Sequence, residues 1–250
     1  MLNRTLVSLT FLLTIISVSG QAQEKQRKVY RPDIPGSFLI DFGLNNGLNK
    51  PVNFNQGFWG SRTLNLYYHY PVRINNTKFT YNPGGGFSFE RFKLVNDYTL
   101  SHQPNTDGTY QLVQSSTSIL PTAGFRKSMI VSNYFDIMPL EFRFDTNPKD
   151  VTRSFSVTVG GRVGVLMESH TKVKYTDNGV SGIYKDKQPH GLNPFRYGVY
   201  TRIGIGNFNW FWFYNISHYF ANGKGPYTSA IDPTPSAMNT MTIGISLNGF

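Results

Sequence analysis

The segment FNWFWFYNISHYF, residues 208–220, places eight aromatic residues in thirteen positions. Successive side chains of a β-strand point to opposite faces, so an extended chain here carries large rings on both sides. A half-solvated sheet of a soluble domain has polar residues on one of those faces. We therefore expect one face of this segment to meet lipid and the other to pack inside a barrel. The rings assigned to lipid are Phe208, Trp210, Trp212 and Tyr214.

Seven other segments alternate with the same period of two, and no segment has a convincing helical period. The clearest is SFSVTVGGRVGVLM, residues 154–167, in which apolar residues alternate with Ser, Thr, Gly and Arg. Another, YFDIMPLEFRF at residues 134–144, changes phase around Pro139. A proline inside a strand is tolerated at a β-bulge, and a bulge shifts the alternation by one residue. The chain is therefore predicted to contain eight strands, one of them bulged.

The connections between the predicted strands alternate between long and short. An even number of antiparallel strands with short periplasmic turns and longer external loops is typical of a bacterial outer-membrane barrel. We therefore predict an all-β fold, an eight-stranded antiparallel up-and-down transmembrane β-barrel over residues 36–250. The alternative is a secreted sandwich or lipocalin-like barrel, which would bury the apolar face inward. The predicted long loops are 45–59, 95–126, 169–193 and 221–237, and the short turns are 72–77, 145–150 and 206–207.

The first 22 residues are predicted to be a signal peptide. Arg4 precedes the apolar run 6–18, and small residues follow it, which indicates cleavage near Ala22/Gln23. Residues 23–35 would then be a short periplasmic segment of an exported protein. No later segment approaches the ~18 apolar residues that a membrane-spanning helix needs.

The formal net charge is +10, but the basic residues are scattered along the chain. A nucleic-acid-binding protein more often gathers them on one element, so we expect no nucleic-acid partner. The predicted partners are outer-membrane lipid, lipopolysaccharide and other outer-membrane or secretion proteins.

The face assigned to the barrel interior carries charges of both signs. Side chains fill the interior of an eight-stranded barrel, and buried charges persist only when they are paired. We expect a salt-bridged network that plugs the lumen, with three acids and four bases. The alternative is a narrow, anion-selective path. The predicted network consists of Asp41, Glu90, Glu141, Arg143, Arg162, Arg196 and Arg202.

Aromatic residues near the strand ends predict a lipid-facing girdle at the membrane interface. Its predicted members are Phe208, Trp210, Trp212, Tyr214, Tyr68, Tyr70, Phe79 and Tyr81.

No catalytic, cofactor or metal site is predicted. Serine precedes histidine at His102, His170 and His218, but adjacent strand residues point to opposite faces and cannot hydrogen-bond each other. The glycines at 84–86 lack the Gly-Lys-Ser/Thr ending of a phosphate loop, and we expect them to make room for arginines opposite. A lipid-modifying enzyme on the same barrel is the alternative.

Four segments resemble the PorT-like outer-membrane β-barrel family of Bacteroidota: LNLYYHYPVR, FDIMPLEFRF, FANGKGP and TIGISL. The resemblance runs over about residues 37–248. It implies an eight-stranded barrel in the outer membrane, without catalytic residues. We expect a non-enzymatic scaffold or partner-binding role, and the resemblance implies an association with type IX-like protein secretion as one form of that role.

Overall fold

The computed structural model describes residues 36–118, 124–231 and 233–249. The predicted signal peptide and the segment 23–35 lie outside the described residues. A short helix α1 (Ser115–Ser118) and a 3-10 turn (Val151–Arg153) connect strands, and within these ranges no helix is long and apolar enough to cross a membrane. The strands are β1 (Ser37–Leu48), β2 (Arg62–His69), β3 (Val72–Arg73), β4 (Phe79–Tyr81), β5 (Gly84–Leu94), β6 (Tyr98–Leu100), β7 (Leu112–Gln114), β8 (Gly124–Asp145), β9 (Phe155–Asp177), β10 (Val180–Asp186), β11 (Phe195–Ile205), β12 (Phe208–Asn215) and β13 (Asn239–Asn248).

Eight of these strands close into one antiparallel barrel. Going round the wall, the order is β1, β2, β5, β8, β9, β11, β12 and β13, and β13 pairs back with β1. Closure leaves no open edge in the wall, which is what a sheet in hydrocarbon requires. The prediction of an all-β, eight-stranded antiparallel barrel is confirmed.

The bulge predicted in β8 is present. The pairing of β8 with β9 shifts register between Ile137 and Leu140, on either side of Pro139. Both flanking side chains are exposed, although they are three positions apart, so the outward row continues across the shift. The bulge at Pro139 thus lets β8 change phase so that Leu140 and Phe142 still face outward, whereas Met138 is buried in the interior.

The connection predicted at residues 72–77 is short, as expected, but its bounds differ, because Val72 and Arg73 form β3. β2 and β3 form one arm of a hairpin and β4 and β5 the other, with its tip at 74–78. The predicted third strand is interrupted at Pro83, which has no N–H to donate to a ladder. β4 instead pairs with the end of β8, and so continues the wall towards the short-turn end.

The two faces of the wall differ in polarity. Along β9, Val159 is 57% exposed whereas its neighbour Thr158 is only 5% exposed. The same alternation runs through β2, β11 and β12, where apolar side chains point outward and polar, small or aromatic ones point inward. The outer surface is therefore an apolar band, and the interior combines polar groups with a buried cluster of Leu39, Tyr67, Met138, Tyr200, Phe211 and Phe213.

The long connections contain more structure than predicted. β8 and β9 continue beyond the barrel rim and form a three-stranded sheet with β10, and β6 pairs with β7 in the loop before β8. Side chains from all four long loops meet strand residues over the barrel mouth in a buried apolar cluster, here termed the loop cap. The loop cap consists of Phe54, Phe92, Leu94, Leu100, Leu112, Ile130, Leu192, Tyr219, Phe220 and Met238.

We predict that Val159→Arg lowers the free energy of unfolding by ~2–4 kcal/mol in lipid, because it sets a charge in the middle of the apolar band. Val151→Arg is the matched control: Val151 is 42% exposed in the connection between β8 and β9, where the cost should be ~0–1 kcal/mol. Urea unfolding in liposomes measures both. Equal costs at the two positions would contradict the assigned depth.

Candidate functional site in the barrel lumen

Arg196, near the start of β11, is 2% exposed and is held by two carboxylates. Its Nε donates to Asp136 Oδ1 at 3.0 Å and its Nη2 to Asp136 Oδ2 at 2.6 Å. Its Nη1 donates to Glu90. The guanidinium also stands 3.8 Å above the ring of Tyr134. Bidentate, charge-assisted contacts of this kind fix both the position and the orientation of a guanidinium.

Arg162 shares the carboxylate of Asp136. Its Nη1 lies 3.8 Å from Asp136 Oδ2 and donates to the hydroxyl of Tyr67, which in turn donates to Asp136 at 2.7 Å. The guanidinium lies 3.5 Å over the ring of Phe213, a cation–π contact. We term Glu90, Asp136, Arg162 and Arg196 the loop-side cluster, in which two acids balance two arginines.

A second group, the turn-side cluster, lies farther from the loops. Arg202 donates to Glu141 at 2.8 Å and to Asp41 at 3.2 Å. Glu141 also accepts a hydrogen bond from the Tyr200 hydroxyl at 2.6 Å and lies 3.3 Å from Nδ1 of His69. The cluster consists of Asp41, His69, Glu141 and Arg202.

The predicted single network is therefore two clusters and a separate pair. The rings of Tyr67 and His69 stack with centroids 6.5 Å apart and connect the two clusters. Arg143 joins neither, because it pairs with Asp145 on the same strand at 3.0 Å. This pair lines a cavity of about 240 Å³ at the short-turn mouth.

The predicted network omitted Asp136, the acid that organises the loop-side cluster. Asp136 lies between Phe135 and Ile137, which both face outward, so the alternation places it inward. Asp145 lies in the predicted short turn 145–150, but it is the last residue of β8 and is buried. The lumen thus holds five acids and four arginines rather than three acids and four bases, so it carries no excess of arginines over acids.

The inward glycines make room for particular side chains, but not as predicted. A Cβ on Gly84 would lie 2.5 Å from the His69 ring, and one on Gly86 would lie 2.9 Å from the Tyr67 ring. The expectation that these glycines accommodate arginines is therefore wrong. Gly164 of β9 has that role, because its Cβ would lie 2.1 Å from Asp136 and 3.0 Å from Arg196.

The eight predicted girdle residues are half-buried or exposed, but they lie at different heights. Trp210 and Phe208 follow the tight turn, with Phe208 nearest to it. Trp212 and Tyr214 lie farther along β12, with their rings stacked at 6.2 Å. The four near the short-turn end of β2, β3 and β4 are Tyr68, Tyr70, Phe79 and Tyr81.

Two loop histidines, His102 and His190, contact a carboxylate rather than a serine. Among the described residues, no serine hydroxyl hydrogen-bonds a histidine ring. Asp186 of β10 lies 2.8 Å from His102 Nδ1 and 3.1 Å from His190 Nε2 and accepts from Gln188 at 2.7 Å. Burial alone would raise the pKa of Asp186, but these hydrogen bonds outweigh it and leave the pKa below its usual value. Burial lowers the pKa of His190.

The described residues include no candidate site for a metal ion. Within 36–118, 124–231 and 233–249, no three His, Cys, Asp or Glu side chains are grouped so as to hold a metal ion.

Comparison with known proteins gives one extensive family match. The model of the family described as "Outer membrane protein beta-barrel domain" matches residues 21–221. No curated protein sequence matches the chain significantly.

Two solved structures are similar over most of the chain. Ail, the attachment invasion locus protein of Yersinia pestis, has 15% identity and a TM-score of 0.34, covering 85% of this chain and 97% of its own. Neisserial surface protein A has 10% identity and a TM-score of 0.37, covering 86% and 97%. Scores this low do not establish an equivalent fold, so the closed strand order remains the observation that defines the barrel.

We predict that Gly164→Ala destabilises the protein by ~1–3 kcal/mol, because the added methyl group pushes Asp136 away from Arg196 in a filled interior. Gly161→Ala is the matched control on the same strand, since a Cβ there meets nothing within 4 Å. Its effect should be close to zero. Thermal unfolding followed by gel migration compares the two, and equal losses would mean that Gly164 does not support the loop-side cluster.

Proposed function

The chain belongs to the outer membrane protein beta-barrel domain family, and from that membership we propose that it acts as a non-enzymatic scaffold that binds partner proteins at its long-loop end. The protein is an outer-membrane β-barrel. The scaffold role is supported chiefly by a lumen filled with paired charges and packed aromatic side chains.

The lumen is filled at three levels. The loop cap covers the long-loop mouth, the loop-side cluster lies beneath it, and the turn-side cluster follows. Each guanidinium in the two clusters is tied to carboxylates on other strands, so opening a path would separate buried charges from their partners. Separating one partner from a buried pair costs ~3–5 kcal/mol. A filled lumen therefore favours binding at the outer surface of the barrel over transport through it.

The sheet formed by β8, β9 and β10 supplies a surface for a partner. β10 pairs with β9 on one side, and its other edge pairs with no strand in the described part of the chain. Val180 is 71% exposed and Ile183 56% exposed along this edge. An unpaired strand with exposed apolar side chains is a template for a partner that adds its own strand.

Type IX-like secretion is the cellular setting that we propose for this role. It is supported by the resemblance of residues 64–73, 135–144, 220–226 and 242–247 to the PorT-like family of Bacteroidota. The partners would then be other secretion or outer-membrane proteins. Export with cleavage near Ala22/Gln23 belongs to the same proposal.

We predict that the purified wild-type protein shows no steady conductance in planar lipid bilayers, because the loop cap and the two charge clusters close the lumen. A water-filled porin reconstituted in the same lipid is the positive control. Stable open steps with selectivity for anions would instead support the channel alternative.

We predict that a photo-crosslinking amino acid at Ile183 forms a discrete protein adduct in intact cells, because it lies on the open edge of β10. Position 231 is the matched control, since Ile231 is 94% exposed on a different long loop. Ser181→Pro, which disrupts the β10 edge, should abolish the Ile183 adduct. Absence of any adduct at Ile183, or equal adducts at both positions, would contradict β10 as the docking edge.

A further inference from the structure

The outward face of four neighbouring strands changes from apolar to cationic towards the long-loop end. Leu64 of β2 pairs with Phe89 of β5, and the next outward pair is Arg62 with Arg91. On β8 and β9, Lys127 pairs with Lys174. Residues that are scattered in sequence are thereby gathered on one wall. We term this set the cation patch: Arg62, Arg91, Lys93, Lys127, Lys172 and Lys174.

Among the described residues, no acidic side chain forms an ion pair that would neutralise the charges of the cation patch. Lys127 experiences the charges of Arg91, Lys93, Lys172 and Lys174. Within the described residues, no member of the patch forms an ion pair. Like charges directly opposite each other across two strands are destabilising, so this arrangement favours an anion between them.

Glu168, an acid on β9, does not balance the patch. Glu168 lies 3.4 Å from His170 and 3.9 Å from each of Lys185 and Lys187, none of which belongs to the patch. Its single charge is therefore already shared among other basic groups.

Two arginines of the patch are held in place by backbone oxygens. Arg62 donates through Nε to the carbonyl of Trp59 at 2.6 Å, and Arg91 donates through Nε to the carbonyl of Gly60 at 3.2 Å. These bonds use one nitrogen of each guanidinium. The terminal nitrogens, which suit the oxygens of a phosphate, form no hydrogen bond within the described part of the chain.

The patch occupies only half of the wall. Outward positions of β1, β11, β12 and β13 carry no lysine or arginine, and Arg196 and Arg202 of β11 point inward. A general preference of membrane proteins for basic residues at the interface would distribute them around the barrel. Their confinement to β2, β5, β8 and β9 indicates a localised site.

An open cavity of about 400 Å³ joins the patch to the apolar band. Its basic end is formed by Arg62, Arg91 and Lys172, and its apolar end includes Leu64 and Phe89. Glu90 also lines the cavity, but its carboxylate accepts a hydrogen bond from Arg196 in the lumen. The cavity therefore places cationic groups next to apolar rings on the outer surface of the wall. A molecule with a phosphate at one end and a hydrocarbon chain at the other matches both halves.

We propose that the cation patch and this cavity bind a phosphate-bearing lipid of the outer leaflet. The phosphate lies between Arg62, Arg91 and Lys172, and an acyl chain runs along Leu64 and Phe89. The long-loop end places the site at the outer leaflet. The site rests on the location of the barrel in the outer membrane and is independent of what binds β10. Free phosphate lacks the apolar half of the ligand.

Brominated lipids that quench tryptophan fluorescence test this site. The chain has three tryptophans. Trp210→Phe/Trp212→Phe leaves Trp59, whose carbonyl contacts Arg62. The protein is reconstituted in vesicles with either brominated phosphatidic acid or brominated phosphatidylcholine of the same chains. We expect phosphatidic acid to associate more strongly by on the order of fivefold per cation that contacts it.

Arg91→Gln/Lys172→Gln should reduce this preference by on the order of 25-fold, leaving the contribution of about fivefold from Arg62, whereas Lys149→Gln/Arg153→Gln in the short connection should leave it unchanged. Gel migration before and after boiling checks that each variant is folded, and Arg62→Gln alone replaces the double variant if that variant does not fold. Added inorganic phosphate should not remove the preference.

Three outcomes would overturn the proposal. The first is equal quenching by the two lipids in the protein with an intact patch. The second is a folded patch variant that keeps the full preference. The third is displacement by inorganic phosphate alone, which would indicate a site for free anions rather than for a lipid.

Discussion

A guanidinium keeps its charge even when it is fully buried, so Arg196 requires carboxylates wherever the strands place it. Asp136 of β8 and Glu90 of β5 form ion pairs with Arg196. These contacts join three strands across the lumen rather than neighbours in one ladder. Arg202 repeats the arrangement between Asp41 of β1 and Glu141 of β8. The ion pairs thus hold together opposite parts of a wall whose backbone hydrogen bonds act only between adjacent strands.

The composition of the other inward positions follows from this requirement. Three large arginines and their acids leave space only where the facing residue is small, which explains Gly164 beside Asp136 and Arg196. Rings cover the flat faces of the guanidinium groups, as Phe213 does for Arg162. Aromatic residues of β12 therefore have two environments. Phe208, Trp210 and Trp212 face outward, whereas Phe211 and Phe213 are buried and Phe213 packs against Arg162.

The strand pattern could be predicted from sequence because alternation is a local property. Asp136 could have been placed inward by the same rule, but which arginine it would bind depends on the stagger between β8 and β11, which a period of two does not encode. The loop cap was not predicted, because Phe54 and Tyr219 are far apart in sequence. β10 was missed because it lies in a segment whose polar residues resemble a loop.

Because the interior is filled, we expect other molecules to bind at the outer surfaces of the barrel. Binding through the lumen would have to disrupt paired charges, whereas binding at the rim or on the wall adds to groups that are unpaired in the described part of the chain. Two such surfaces differ in chemistry: the edge of β10 offers backbone groups with apolar side chains, and the cation patch offers unneutralised charge above an apolar surface. The first suits a protein strand and the second suits a lipid with an anionic headgroup. Because β9 belongs to both surfaces, a lipid held at Lys172 would lie on the strand that pairs with β10, next to the docking edge.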